Sequence, residues 1–460
     1  MSLWRLSQVQ AAVGGTLVTP MRPAGGDPDP RPAALSMDTR TLRPGDGFVA
    51  IRAQRDGHAF AAQAVARGAS ALLVDHELPL EVPQLVVPDT LAALQRWGAA
   101  RLEACRPRQV FGVTGSVGKT STKELLAGAT GAWKTPGNRN NTLGVPEALA
   151  TLPEGLDAAV VELGISTPGE MGQLTAIVPP DFGLITNIGS AHMENFVDGQ
   201  AGIARAKGEL VAGLRPGGAW VHLAADPWCR WVALQPWAAR AQAVPVGHGA
   251  AFGWSEEVSL GLQGEQFLLR HPGGQEAVRL RLRGAHQVRN AALAGALAIL
   301  AGGDPRRVAD GLGSVEPEPG RGRLHALAQG GWLLDESYNA SQDSILACAQ
   351  ALLGLPGGEA VAVLGCIREL GATSARVHQD TGHALKILGL ARLWVYGEHA
   401  GELAHGFGPG ARAFPDFEAL RDDPEGLGRL AAEHRILVKG SRFWAAERAV
   451  AWLLERLGPG

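Results

Sequence analysis

The chain has 460 residues, 46% of them apolar, and 42 Lys and Arg stand against 45 Asp and Glu for a net charge of -3. That length predicts two to four domains, with about three expected, and the near balance of charge excludes a global attraction to nucleic acid or to an acidic membrane surface. Cys105, Cys229, Cys348 and Cys366 form no CxxC pair, which argues against a disulfide framework or a structural zinc site and fits a reducing, cytoplasmic compartment.

No sustained apolar run follows Arg5, so no signal peptide is expected. No run of about twenty uncharged apolar residues occurs either, and no membrane span is expected. The first hundred residues read as a small α/β unit. Gly47 to Ile51 is a short buried strand, His58 to Arg67 a helix stopped by Gly68, and Ala71 to Val74 and Leu85 to Val87 are further strands. A helix follows through Leu91 to Leu102, and Arg106-Pro107-Arg108 is a linker.

A second unit starts at Gln109. Val110 to Val113 is a buried strand running into Thr114-Gly115-Ser116-Val117-Gly118-Lys119-Thr120, with a helix from Thr120 to Leu126 behind it. Strands at Ala158 to Val161 and Phe182 to Ile185 alternate with helices, the pattern of a parallel sheet covered on both faces. Val258 to Leu282 reads as antiparallel hairpins, followed by a helix from Gln287 to Leu300. Pro317-Glu318-Pro319-Gly320 marks the next boundary. Beyond it, strand-like runs at Trp332 to Leu334, Ala360 to Leu364, Leu393 to Tyr396 and Ile436 to Val438 predict a Rossmann-like unit without a GxGxxG fingerprint. The expectation is thus an α/β protein of three domains: a small α/β N-terminal domain (1–107), a central P-loop, parallel-sheet ATPase domain (108–315) and a C-terminal Rossmann-like domain (316–460).

The glycine-rich loop carries the chemistry. Backbone N–H groups of such a turn converge on phosphate oxygens, and the following helix N-terminus adds its dipole. Lys119 can neutralise the β- and γ-phosphates of ATP, and the Thr120 hydroxyl can bind Mg²⁺. The spacing is compact: Val113 stands where the general phosphate-loop pattern has its first glycine, which disfavours an ordinary kinase or GTPase.

Around this loop the sequence resembles the Mur ligase family of ATP-dependent amide ligases. The resemblance runs through Asp38-Thr39-Arg40, Pro44-Gly45-Asp46-Gly47-Phe48-Val49-Ala50, Asp56-Gly57-His58, Thr122-Lys123-Glu124 and Gly137-Asn138-Arg139-Asn140-Asn141. It continues with Glu162-Leu163-Gly164, Thr186-Asn187-Ile188-Gly189, Ala191-His192, Ala206-Lys207-Gly208-Glu209, Asp335-Glu336-Ser337-Tyr338-Asn339-Ala340 and Leu437-Val438-Lys439-Gly440-Ser441-Arg442. The motifs fall in the family's order over nearly the whole chain. They fit the branch that joins D-alanyl-D-alanine to a UDP-N-acetylmuramoyl-tripeptide in peptidoglycan precursor synthesis. Three positions depart from the pattern: Gln287 stands for the first Asn of His-Asn-x-x-Asn, Ser341-Gln342 for Asn-Pro, and Cys366 for Asp.

The resemblance implies roles. Thr114 to Ser121 would cradle ATP, with Lys119 catalytic. Glu162, at a strand end, would share Mg²⁺ with Thr120, and His192 would ligate a second Mg²⁺. Lys207 would be carbamylated by CO₂, which turns a cation into a metal-binding anion; by itself a lysine on a helix is a solvated surface group. Asn290 would contact adenine, Asp335 the ribose, and Arg323 the phosphates, with Arg321 a close competitor. Thr39, Arg40 and Asn141 are candidates for the UDP-sugar, and Asn339 and Lys439 for the reacting end, although these fit nearly as well as turn and strand-end residues. A monomer with no nucleic-acid partner is expected. Related amide ligases of the same superfamily, a non-catalytic ATP-binding scaffold and a P-loop kinase are the alternatives.

Overall fold

The computed structural model describes residues 4–20, 27–189, 193–423 and 431–458. Three α/β layers are built along the chain. In the first, Gln84–Val86, Ala71–Val74, Gly47–Val49 and Leu35–Ser36 run parallel, and Thr16–Val18 adds an antiparallel edge strand beside Gln84–Val86. The two outer strands, three and two residues long, are too short to show in the hydropathy pattern. The segment read as one helix from His58 is a tight turn at Gly57–Phe60 leading into Ala61–Ala66. Helix Thr90–Cys105 leaves this layer and packs on Gly144–Ala150 of the next. Gly98 lies so close to Pro146 that a Cβ would stand 2.8 Å from its backbone.

The central sheet has the order Gln242–Val246, Ala219–Leu223, Phe182–Ile185, Gln109–Thr114, Ala158–Glu162, Trp133–Lys134, all parallel. Its strands are apolar on both faces because each face has its own core. Phe111, Val113, Leu125 and Leu293 pack on one side, and Val110, Val161, Ile185 and Leu210 on the other. The strand leading into the phosphate loop lies mid-sheet, with neighbours from later in the chain on both sides. A crevice at the carboxyl ends of the strands follows from that order and is where open parallel sheets bind ligands. The predicted hairpins form a separate antiparallel sheet, Gly253–Ser259, Glu265–His271 and Gly274–Leu280.

The third sheet runs Arg323–Ala326, Trp332–Glu336, Arg435–Lys439, Ala360–Gly365, Arg392–Tyr396, Ala411–Phe414, parallel except for its first strand. Arg323–Ala326 and Ala411–Phe414 are edge strands, short and half exposed, and the sequence reading lacked them. No helix among the described residues is long and apolar enough to cross a membrane.

Candidate active site

The carboxyl edges of the central and third sheets face one another across a cavity of about 710 Å³. The central side contributes Ser116 to Ser121, Asn140, Asn141, Glu162 and Asn290, and the third layer contributes Tyr338, Asn339, Arg368, Lys439 and Arg442.

The phosphate loop is held by the segment after strand Phe182–Ile185. Ser116 N–H donates to Asn187 O at 3.0 Å, and Val117 N–H to Asn187 Oδ1 at 3.1 Å. Thr186 Oγ1 donates to Val117 O at 2.6 Å, and Gly189 N–H to Ser116 Oγ at 2.8 Å. Gly115 adopts φ +150° and Gly118 φ +84°, backbone that side chains disfavour. Helix Lys119–Thr130 then begins; its first-turn residues Lys119, Thr120 and Ser121 line the cavity, and their N–H groups have no intrahelical partner. Lys119 Nζ folds over the loop to donate to Gly115 O at 2.7 Å and Ser116 O at 3.2 Å. Burial lowers the Lys119 pKa; Glu162 opposes that shift and Arg321 adds to it. Thr114, by contrast, is wholly buried below the loop.

Glu162 ends its strand with 1% exposure. Asn140 Nδ2 donates to Oε1 at 2.8 Å, whereas buried Oε2 accepts no hydrogen bond. A buried carboxylate oxygen without a donor is costly; with the Thr120 hydroxyl on the same cavity wall, it suits a hard divalent cation such as Mg²⁺. Lys123, buried one helical turn beyond Lys119, donates to Thr135 O at 2.9 Å and Gly137 O at 2.8 Å and stays 3.8 Å from Glu162 Oε2.

Lys207 is 2% exposed on helix Gly199–Ala212, among Ile203, Ala204, Leu210 and Val211. Burial, and then the charge of Lys119, hold its pKa well below the ordinary value, which favours the neutral amine. It does not line the cavity wall itself. His192 lies outside the described residues.

Asn290 donates to Gln287 Oε1 at 3.2 Å and packs under Gly118, so the Gln287 departure still orients this asparagine. Arg321 lines the cavity with its guanidinium 3.8 Å over the Tyr338 ring. Arg323 is exposed on its edge strand, paired in register with Asp335, and lines no part of the cavity. Asp335 is also outside the cavity wall. Its carboxylate accepts from Gly320 N–H and Ser337 N–H, both at 3.1 Å, and thereby shapes the turns that carry Arg321 and Tyr338.

Asn141 lines the cavity while its Oδ1 caps helix Gly144–Ala150, accepting from Gly144 N–H at 2.8 Å. Asn339 Oδ1 accepts from Ala340 N–H and Arg442 N–H. Thr39 and Arg40 stand apart, on the first layer: Thr39 donates to Gln63 Oε1 at 2.9 Å, and exposed Arg40 pairs with Asp38 at 2.6 Å, lowering that carboxyl to about 2.

A further group, absent from the sequence reading as a set, gathers behind Lys439. His286, Glu336 and Cys348 bring their donor atoms within 4.8 Å of one another, and Lys439 Nζ lies 3.4 Å from Glu336. Burial holds the Cys348 thiol protonated and pushes His286 down to about 4. With no metal bound, the cluster is a neutral imidazole and a protonated thiol beside the Glu336–Lys439 ion pair. His286 belongs to the quoted helix motif, but only packing from the third layer brings Glu336 and Cys348 to it.

Residues 113–298 match the Mur ligase middle domain, and residues 320–442 match the Mur ligase, glutamate ligase domain. UDP-N-acetylmuramoyl-tripeptide–D-alanyl-D-alanine ligase of Escherichia coli is 37% identical to this chain, with 92% of the chain and 94% of that protein aligned. The chain belongs to the Mur ligase family. The Bacillus subtilis protein of the same description is 33% identical over 92% of the chain and 93% of its own length. MurF from Acinetobacter baumannii superposes with a TM-score of 0.87 at 33% identity, covering 99% of this chain and 100% of that one. MurF ligase from Thermotoga maritima in complex with ADP gives 0.78 at 26% identity, covering 92% and 97%. This Mur ligase is accordingly an ATP-dependent ligase, and its phosphate loop forms one wall of the cavity just described.

Proposed function

We propose that this ligase joins the amine of D-alanyl-D-alanine to the terminal carboxylate of a UDP-N-acetylmuramoyl-tripeptide in peptidoglycan precursor synthesis. One observation carries the reading: a phosphate loop and Glu162, one of whose carboxylate oxygens has no hydrogen-bond donor, share a single cavity with the Tyr338–Asn339 and Lys439–Arg442 edge. Residues 1–107 are assigned to UDP-sugar binding, 108–315 to ATP and 316–460 to the amine substrate.

A carboxylate is a poor acylating agent, so it is activated first. Its oxygen attacks the γ-phosphorus, the bond from that phosphorus to the β,γ-bridging oxygen breaks, and ADP departs with the electron pair. Lys119 swings from its loop carbonyls to the transferring phosphoryl group and, with the first-turn N–H groups, stabilises charge as it develops. Thr120 and Glu162 would hold Mg²⁺, which when bound neutralises phosphate charge. The dipeptide amine then adds to the acyl phosphate carbonyl, loses a proton and expels inorganic phosphate.

Neutral Lys207 suits nucleophilic attack on CO₂: a C–N bond forms, the amine releases a proton, and an anionic carbamate results. That anion would relieve the desolvation cost of an ammonium beside Lys119. Activity stimulated by bicarbonate, with Lys207→Ala rescued by short carboxylates, is the expected result; full activity of that variant rejects the role.

Phosphate release from ATP, with each of the two other substrates omitted in turn, tests the whole reading. Release is expected only with both present. Release with a dipeptide precursor and a free diamino acid, and none with tripeptide and D-alanyl-D-alanine, overturns it.

A further inference from the structure

His378 is wholly buried on helix Ser374–Leu388 and is not itself part of the cavity wall. Its Nδ1 lies 2.7 Å from Ser374 O, which can only accept, so Nδ1 carries the proton. Nε2 is then the acceptor, and it takes the Ile367 N–H at 3.0 Å. The next N–H, that of Arg368, donates to Ser441 Oγ at 3.0 Å. Two successive backbone donors are thus satisfied by side chains from two different elements. The loop they pin leaves strand Ala360–Gly365 and supplies Ile367, Arg368, Glu369 and Leu370 to the cavity wall. Glu369 sits at φ +64°, a strained conformation for a non-glycine residue that persists only where the surroundings hold it. Burial, with the tilted His399 ring 5.0 Å away, favours the neutral imidazole that can accept.

We propose that His378 is a positioning residue for the amine substrate, holding the Ile367–Leu370 wall in its binding shape through the Ile367 N–H. This rests on the reading above. The phosphate loop takes ATP and the first layer is assigned to the UDP-sugar, which leaves the third-layer wall for D-alanyl-D-alanine. A loop released from Nε2 leaves a buried N–H without an acceptor and frees Glu369 to relax, so the wall moves while the phosphate loop does not.

The test is a pair of polar variants. H378Q can place its amide oxygen where Nε2 accepts from Ile367 N–H; the H378N amide, one methylene shorter, stops at the Nδ1 position beside Ser374 O and leaves Ile367 N–H without an acceptor. For H378N the KM for D-alanyl-D-alanine rises about tenfold while the KM for ATP stays within about twofold, the size expected for one lost buried hydrogen bond. H378Q returns the dipeptide KM to within about threefold of wild type. Melting temperatures identify any variant that has lost its fold, and the ratio of the two KM values is read on the folded ones. Equal changes in both KM values, a change in kcat alone, or no difference between H378Q and H378N overturns the proposal. Wild-type protein that releases no phosphate with tripeptide and D-alanyl-D-alanine overturns the underlying reading instead, so the two failures are distinguishable.

Discussion

Lys123 Nζ stands 3.8 Å from Glu162 Oε2, near enough to attract it and too far to donate a hydrogen bond. The ammonium is committed instead to the carbonyls of Thr135 and Gly137. Glu162 therefore keeps one buried oxygen that no protein donor satisfies, and that oxygen is the observation behind its proposed role as a cation ligand.

Glu162→Gln keeps the shape and the Asn140 bond but removes the charge. Phosphate release is expected to fall about 100-fold, with a higher Mg²⁺ requirement, because the charge on the phosphates loses its counter-ion. The melting temperature should move little, since Lys123 retains its carbonyl acceptors. A magnesium titration of phosphate release decides; unchanged magnesium dependence would remove Glu162 from the metal role.

Lys207 gives a pH signature in CO₂-free buffer. Its folded pKa lies well below the ordinary 10.5. Between the two values the unfolded chain binds more protons than the folded one, so this lysine makes wild-type stability rise with pH through that window. Lys207→Met lacks the term. Its melting temperature should exceed wild type near neutrality, and the gap should close as pH approaches the upper value. A gap that widens with pH would contradict the buried, neutral lysine.

Gly115→Ala tests the loop backbone. At φ +150° the new Cβ would overlap Thr186 Oγ1, which holds Val117 O. The strain is on the order of 2 kcal/mol or more, and the Thr186 bond goes with it. ATP affinity measured by calorimetry should drop at least about tenfold, since 1.4 kcal/mol is a factor of ten; wild-type affinity would mean the loop conformation is dispensable.

Arg321 and Arg323 separate cleanly. Arg321→Ala removes a cavity cation that stacks on Tyr338 and should lower kcat/KM for ATP about 30-fold, as expected for loss of a charge-assisted contact to phosphate. Arg323→Ala, on an exposed edge, should stay within about twofold. The reverse order of effects would restore Arg323 as the phosphate contact.

Much of the site was legible locally. The phosphate loop, Glu162 at its strand end and Asn290 near its helix start are each set by neighbours in sequence, because a strand, a glycine turn and a helix aim their own termini. The burial of Lys207 was not legible: by itself it reads as a solvated surface group, and its desolvation among Ile203, Ala204, Leu210 and Val211 and beside Lys119 needed the packed sheet.

The choice between Arg321 and Arg323 shows where sequence stops. The two residues flank one glycine, and motif spacing could not rank them. Pairing of Arg323 with Asp335 on an antiparallel edge strand turns one arginine to solvent and leaves the other over Tyr338. The sequence by itself determined the family, the α/β architecture and the phosphate loop that anchors the cavity, since these depend on short-range periodicity and turn chemistry. Only the tertiary structure decided that Glu162 keeps an unsatisfied oxygen, that His286, Glu336 and Cys348 meet behind Lys439, and that Thr39 and Arg40 stand apart from the cavity. Those relationships join residues far apart in the chain, and packing between layers, not local conformation, sets their distances.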